Sequence, residues 1–227
     1  MKLIMFDVDG TLVDSLHYDG ALFCQAVHEV LGIAEIDPDW RNYTHVTSSG
    51  ILEEIVWRAK DRSVRADEAV AVQRRFGLLM RQQHEAKPDQ AQALPGALAL
   101  FNALRQTAGV AVAIATGGWG PEARLKLQVA GYPIDGVPFA AACEAISRQD
   151  IMRLALARAK TSCGVSEFAE IAYVGDGHWD QVATRALGWR FIGIGATLRH
   201  QIKQDELWWL TPPSAQDILN GLQWSIT

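Results

Sequence analysis

The chain has little cysteine, no long apolar run and no surplus of basic residues, and each shortage removes a class of function. Its cysteines, Cys24, Cys143 and Cys163, are odd in number, far apart and form no C-x-x-C pair. That fits buried free thiols in a reducing compartment better than a disulfide framework. No stretch approaches the roughly 20 apolar residues of a membrane-spanning helix. The hydrophobic N-terminus is interrupted by Asp7, so no signal peptide is expected. Lysine and arginine number 21 against 26 aspartates and glutamates, a net charge of −5, which argues against the basic face of a nucleic-acid binder. The expectation is a cytoplasmic protein with neither nucleic acid nor membrane as partner.

What is present is an ordinary globular composition, 49% hydrophobic and 21% charged over 227 residues, enough chain for one or two domains with a real core. Five short apolar runs read as buried strands: Leu3 to Phe6, Val110 to Ala115, Val137 to Ala140, Ile171 to Val174 and Phe191 to Ile194. Their lack of polar alternation is the pattern of parallel strands covered on both faces. Helical segments separate them. Pro95 to Gln106 sets Leu98, Phe101 and Leu104 on one stripe with Pro95 at the first turn; Ala123 to Ala130 and Asp150 to Lys160 repeat the pattern. The alternation predicts an α/β fold, a doubly wound Rossmann-like parallel sheet.

Residues 15–94 break that alternation. No strand is readable there; helices are expected at Tyr18 to Leu31, Gly50 to Lys60 and Ala66 to Glu85, with Pro88 to Pro95 as the return linker. We therefore expect an all-α cap domain over 15–94 inserted into a core of 1–14 and 95–227. Insertion after the first strand would place it over the carboxyl edge of the sheet, where open α/β folds bind ligands.

The most informative stretch is Phe6-Asp7-Val8-Asp9-Gly10-Thr11-Leu12-Val13-Asp14-Ser15. Carboxylates gathered at the end of a buried strand are costly unless compensated, and like charges that close call for a proton or a cation between them. Oxygen-rich sites of this kind suit Mg²⁺. Gly10 lets the chain turn sharply, and Thr11 adds a hydroxyl and an N–H. Three further segments follow strands. Thr116-Gly117-Gly118 offers a hydroxyl and approachable backbone N–H groups for phosphate oxygens. Gly175-Asp176-Gly177-His178-Trp179-Asp180 supplies a second acidic pair, and Ser147-Arg148 opens a helix with a cation able to balance the acids and hold phosphate.

Taken together, Asp7-Val8-Asp9-Gly10-Thr11, then Thr116, then Arg148, then Gly175-Asp176 with Asp180 resembles the four-motif set of haloacid dehalogenase-superfamily phosphatases, nearest the phosphoglycolate-phosphatase-like subgroup with its helical C1 cap. One departure is Arg148, where the family usually carries lysine; the two side chains are not equivalent. The resemblance implies Mg²⁺ held by Asp7, the Asp9 carbonyl, Asp176 and Asp180. It implies Asp7 as nucleophile, Asp9 as general acid and then base, and Thr11, Thr116, Gly117 and Arg148 around the transferred phosphoryl group. The substrate would be a small phosphate monoester, and a dehalogenase is disfavoured because such enzymes lack a carboxylate at the Asp9 position. A phosphonate hydrolase would use a cap lysine, for which Lys60 and Lys87 are the only candidates.

In the insert, Ser48 or Ser49 reads first as an N-cap and alternatively as a contact for an anionic substrate tail. His17, Tyr18 and Trp179 read as packing. Trp208-Trp209 reads as core or an edge seal, or as a contact of a homodimer if the protein is not a monomer. The competing readings are a phosphomutase of the β-phosphoglucomutase type and a catalytically silent binding module on the same fold.

Overall fold

The computed structural model describes residues 1–224. Six parallel strands, β1 (Lys2–Phe6), β2 (Val110–Thr116), β3 (Phe139–Ala141), β4 (Ile171–Gly175), β5 (Arg190–Ile194) and β6 (Leu207–Trp209), form one sheet in the order β3-β2-β1-β4-β5-β6. The strand order reverses around β1, so the loops after β1, β2 and β4 leave the same carboxyl edge side by side, the crevice of open α/β sheets.

Strand side chains alternate between two cores. Leu3 and Met5 face one, with Ile151, Met152 and Ala155 of α6 (Arg148–Cys163) and Ala183 of α7 (His178–Ala186). Ile4 and Phe6 face the other, with Leu100, Phe101 and Leu104 of α4 (Ala97–Gln106), Ala123 and Leu127 of α5 (Gly120–Val129), and Ile218 and Leu219 of α8 (Ala215–Gly221). Both faces are covered, which is why the strand sequences carry no polar alternation.

Between β1 and α4 lie α1 (Leu16–Leu31), a 3₁₀ turn at Trp40–Asn42, α2 (Ser48–Lys60) and α3 (Ala66–Ala86). The outgoing and returning chains pair with each other: Asp14 N–H donates to the Gln92 carbonyl at 2.9 Å and Leu94 N–H to the Leu12 carbonyl at 3.0 Å. Phe23 anchors the insert, with its ring centroid 6.0, 6.2 and 5.5 Å from those of Trp40, Phe76 and Trp119; Trp119 belongs to the core side.

Several expectations need correction. β3 begins at Phe139, not Val137; Pro138 has no N–H to give to a ladder, though its carbonyl accepts from Ile114 N–H at 2.8 Å. Pro95 lies outside α4, which starts after Gly96 in a left-handed conformation (φ 87°), and the buried stripe runs through Ala97, Leu100, Phe101 and Leu104 with Leu98 only half-buried. The α2 N-cap is Thr47, one residue before the expected serines, its hydroxyl accepting from Gly50 N–H at 3.1 Å. Cys143 is exposed and Cys24 and Cys163 are half-buried, so the thiols are free but not buried. Trp208 and Trp209 form the edge strand β6, where Trp208 Nε1 donates to the Gly195 carbonyl at 2.7 Å. No helix among the described residues is long and apolar enough to cross a membrane.

Candidate active site

At the end of β1 the chain turns through Gly10, whose φ of +75° an L side chain rarely adopts; a Cβ there would stand 2.4 Å from Asp176 Oδ2. That turn lets Asp176, at the end of β4, approach the β1 loop. Asp7, Asp176 and Asp180 bring one oxygen each to within 4.8 Å of one another, all buried. Asp180 is held by the first turn of α7, accepting from Gly177 N–H at 3.0 Å.

Arg148, the first residue of α6, reaches under this group from the neighbouring face. Its Nη1 lies 2.8 Å from Asp180 Oδ1 and 3.4 Å from Asp7 Oδ1, and its Nη2 donates to the Val46 carbonyl of the insert at 3.1 Å. The approach is possible because residue 117 is glycine: a Cβ there would fall 2.3 Å from Arg148 Nη2. Beneath, the Tyr173 hydroxyl donates to the Ala115 carbonyl at 2.7 Å, tying β4 to β2 across β1.

One guanidinium does not neutralise three buried carboxylates. Burial, reinforced by the charge of Asp180, pushes Asp7 up to about 7 despite the opposing pull of Arg148. Asp176 is raised well above the carboxylate range by burial and by Asp180 and Asp7, and Asp180 is raised by burial as well. Asp7 Oδ1 and Asp180 Oδ1 are buried without a properly angled hydrogen bond, although the Arg148 charge is near both. Three carboxylates with excess negative charge and two orphaned oxygens are a hard, oxygen-only donor set, and they fit Mg²⁺.

A cavity of about 100 Å³ opens between this cluster and the insert. Of the candidate residues, Asp7, Asp9, Thr116, Gly117, Arg148 and Ser48 line it. Thr11, Ser49, Asp176 and Asp180 do not; the two acids are buried beside Asp7. Thr11 is buried beneath the loop, its hydroxyl donating to Asp176 Oδ1 at 3.3 Å. Ser49 is taken up in fastening the insert to the core, donating to the Ala142 carbonyl at 2.7 Å and accepting from Trp119 Nε1 at 2.9 Å. Thr47 Oγ1 to the Ile146 carbonyl at 2.6 Å and Ser48 N–H to the Gly117 carbonyl at 2.7 Å complete that seam. Trp179, expected as packing, stands at the cavity wall.

The sequence reading missed Lys126. This α5 side chain is 1% exposed, paired with Asp9 and, at 2.7 Å, with Asp19 Oδ1 of α1. Burial works to lower its affinity for a proton, but Asp19 and Asp9 outweigh that and raise it, so it is a buried ammonium. The Ser15 hydroxyl donates to the same Asp9 oxygen. The Asp9 carboxylate is thus outside the three-acid cluster, which leaves its carbonyl as the atom by which Asp9 would touch a cation. The overlooked signal was periodicity: Ala123, Lys126 and Leu127 fall at i, i+3 and i+4, so the lysine stands in the apolar stripe of α5. Lys60 lies away from the cavity, donating to the Leu31 carbonyl at 3.0 Å.

A family model described as haloacid dehalogenase-like hydrolase matches residues 1–188. The chain belongs to that family. No curated protein sequence matches it. Among solved structures, this haloacid dehalogenase-like hydrolase is similar to a hydrolase from Pseudomonas syringae (19% identity, all of both chains covered, TM-score 0.69). It is also similar to a β-phosphoglucomutase from Clostridium difficile (16% identity, 96% of each chain, TM-score 0.70). A third is CbbY from Rhodobacter sphaeroides, solved with phosphate (20% identity, 97% of this chain and 98% of that one, TM-score 0.68). At such identities the likeness is one of fold.

Proposed function

We propose that this haloacid dehalogenase-like hydrolase is a Mg²⁺-dependent phosphatase that hydrolyses a small-molecule phosphate monoester through an aspartyl-phosphate on Asp7, with the helical insert, residues 15–94, acting as its cap. The observation that carries the reading is the meeting of Asp7 with the buried Asp176 and Asp180 and with Arg148, where Asp7 and Arg148 line the cavity floor beside Thr116 and Gly117.

Asp7, Asp176 and Asp180 would hold the cation, with Asp9 contributing its carbonyl. Bound there, Mg²⁺ would offset the charge of both the carboxylates and the phosphate and polarise the phosphoryl oxygens. An Asp7 carboxylate oxygen attacks phosphorus as the ester P–O bond breaks, and Asp9 gives its proton to the departing alcohol oxygen. Water then attacks the phosphoryl group; Asp9 takes its proton, inorganic phosphate leaves and Asp7 is restored as a carboxylate. Arg148 and the Gly117 N–H face the equatorial oxygens where charge spreads, and the Thr116 hydroxyl lies beside them. Arg148 has a second task, since its contacts with Asp7 and Asp180 keep like charges from forcing the floor apart. Lys126 and Ser15 fix the orientation of the Asp9 side chain.

The test is phosphate release from a panel of phosphorylated metabolites with Mg²⁺ and with chelator, using the unmodified protein and Asp7→Asn. Metal-dependent release that the substitution abolishes supports the phosphatase. An isomerised, still phosphorylated product would replace it with the phosphomutase, and no turnover of any compound would leave a binding module.

A further inference from the structure

The two ends of the cavity differ in chemistry. The floor carries Asp7, Thr116, Gly117 and Arg148, whereas the insert side is walled by Leu16, Gly20, Phe23, Trp40, Val46 and Ile51. No lysine, arginine or histidine of the insert lines the cavity. Its one charged group from the insert, Asp19, is negative and already paired with Lys126. Thr47, also on that wall, has its hydroxyl committed to the Ile146 carbonyl.

Resting on the phosphatase reading, we infer that the alcohol half of the substrate is a compact, uncharged, apolar group, and that Gly20 and Trp40 set its size. A second anion, whether a carboxylate or another phosphate, would be buried facing Asp19 with no cation to meet it, and an unpaired buried charge is expensive. A sugar ring would bring several hydroxyls to a lining that offers few polar groups beyond the Ser48 hydroxyl and the indole N–H groups of Trp40 and Trp179, each unmade hydrogen bond costing affinity. A short branched alkyl chain meets the apolar wall without bringing a charge or a hydroxyl to it. Gly20 contributes by what it lacks, because a Cβ on it would lie 3.2 Å from Trp40 Cζ2, tighter than ordinary contact.

The experiment compares kcat/KM for isobutyl phosphate, phosphoglycolate and glucose 1-phosphate in Mg²⁺, with acetyl phosphate as an activated reporter of phosphoryl transfer. Isobutyl phosphate should exceed the other two esters by about tenfold or more. Gly20→Val should lower turnover of isobutyl phosphate at least fivefold more than that of acetyl phosphate. Trp40→Arg, by placing a cation in the wall, should narrow the gap to phosphoglycolate by about tenfold. Phosphoglycolate or glucose 1-phosphate turned over as well as isobutyl phosphate overturns the inference and leaves the phosphatase standing. Silence with every compound, acetyl phosphate included, overturns the phosphatase. The cavity is then judged by calorimetry on the Mg²⁺-loaded protein, where isobutylphosphonate binding tighter than phosphonoacetate upholds the preference and the reverse order rejects it.

Discussion

Around Arg148, two aspartates, Asp7 and Asp180, meet one guanidinium with Asp176 beside them; around Lys126, two aspartates meet one ammonium, one of them also held by the Ser15 hydroxyl. Both cations sit among acids, Lys126 fully buried and Arg148 a little less so, yet the groups behave differently. In the first, all three acids bind protons more readily than usual, with Asp7 pushed up to about 7 and oxygens of Asp7 and Asp180 left without a well-angled donor. In the second, both acids find the ammonium, although burial raises Asp19 as well against the pull of Lys126. The first cluster is built short of positive charge, the state expected of a site that receives a divalent ion. The second needs nothing added and serves to hold Asp9 and α1 in place.

The contrast can be broken at either cluster, and Asp7→Asn should have the largest effect. It should lower phosphate release at least about 10³-fold while raising the melting temperature of the metal-free protein, because it removes one of three crowded charges. A fall in melting temperature would mean that the cluster is not in electrostatic deficit. Lys126→Met should do the opposite to stability, costing about 3–5 kcal/mol in denaturant unfolding, since it strands Asp9 and Asp19. A loss below about 1 kcal/mol would show that pair to be solvated in solution.

Proton uptake tests the first cluster further. Asp7 and Asp176 bind protons more readily folded than unfolded, so their contribution to the stability of the metal-free protein is complete below the ordinary carboxylate pKa of about 4 and is lost as the pH rises through about 7. In chelator, the unfolding free energy should therefore decline between pH 5 and pH 8, by up to about 1.4 kcal/mol per pH unit for each such proton, and the melting temperature should fall with it. Excess Mg²⁺ should flatten that decline, because it displaces the same protons and binds more tightly as pH rises. A metal-free protein growing more stable over that range would contradict the assignment. The smallest effect belongs to the seam: Thr47→Ala removes the α2 cap and the bond to Ile146, and should cost about 1 kcal/mol in thermal unfolding.

What the sequence made legible was what lies close along the chain. The acids of the β1 loop announce themselves because they interrupt an apolar strand within a few residues, and β2 and β4 were readable as uniformly buried runs. Lys126 was not, because the partners that make it a buried cation, Asp9 and Asp19, lie 117 and 107 residues away. Ser49 and Thr11 misled for a related reason. Their hydroxyls suit a ligand equally well, and only tertiary contacts reveal that Ala142, Trp119 and Asp176 have claimed them. β6 escaped because an edge strand of three half-buried residues has no run long enough to display a period.

Arg148 grips the Val46 carbonyl with the same guanidinium that attends Asp7. Lifting Val46 away would deprive that side chain of a partner, and drawing the guanidinium toward an incoming anion would tug on the roof. Opening of the chamber and the arrival or departure of negative charge are therefore mechanically linked through a single side chain.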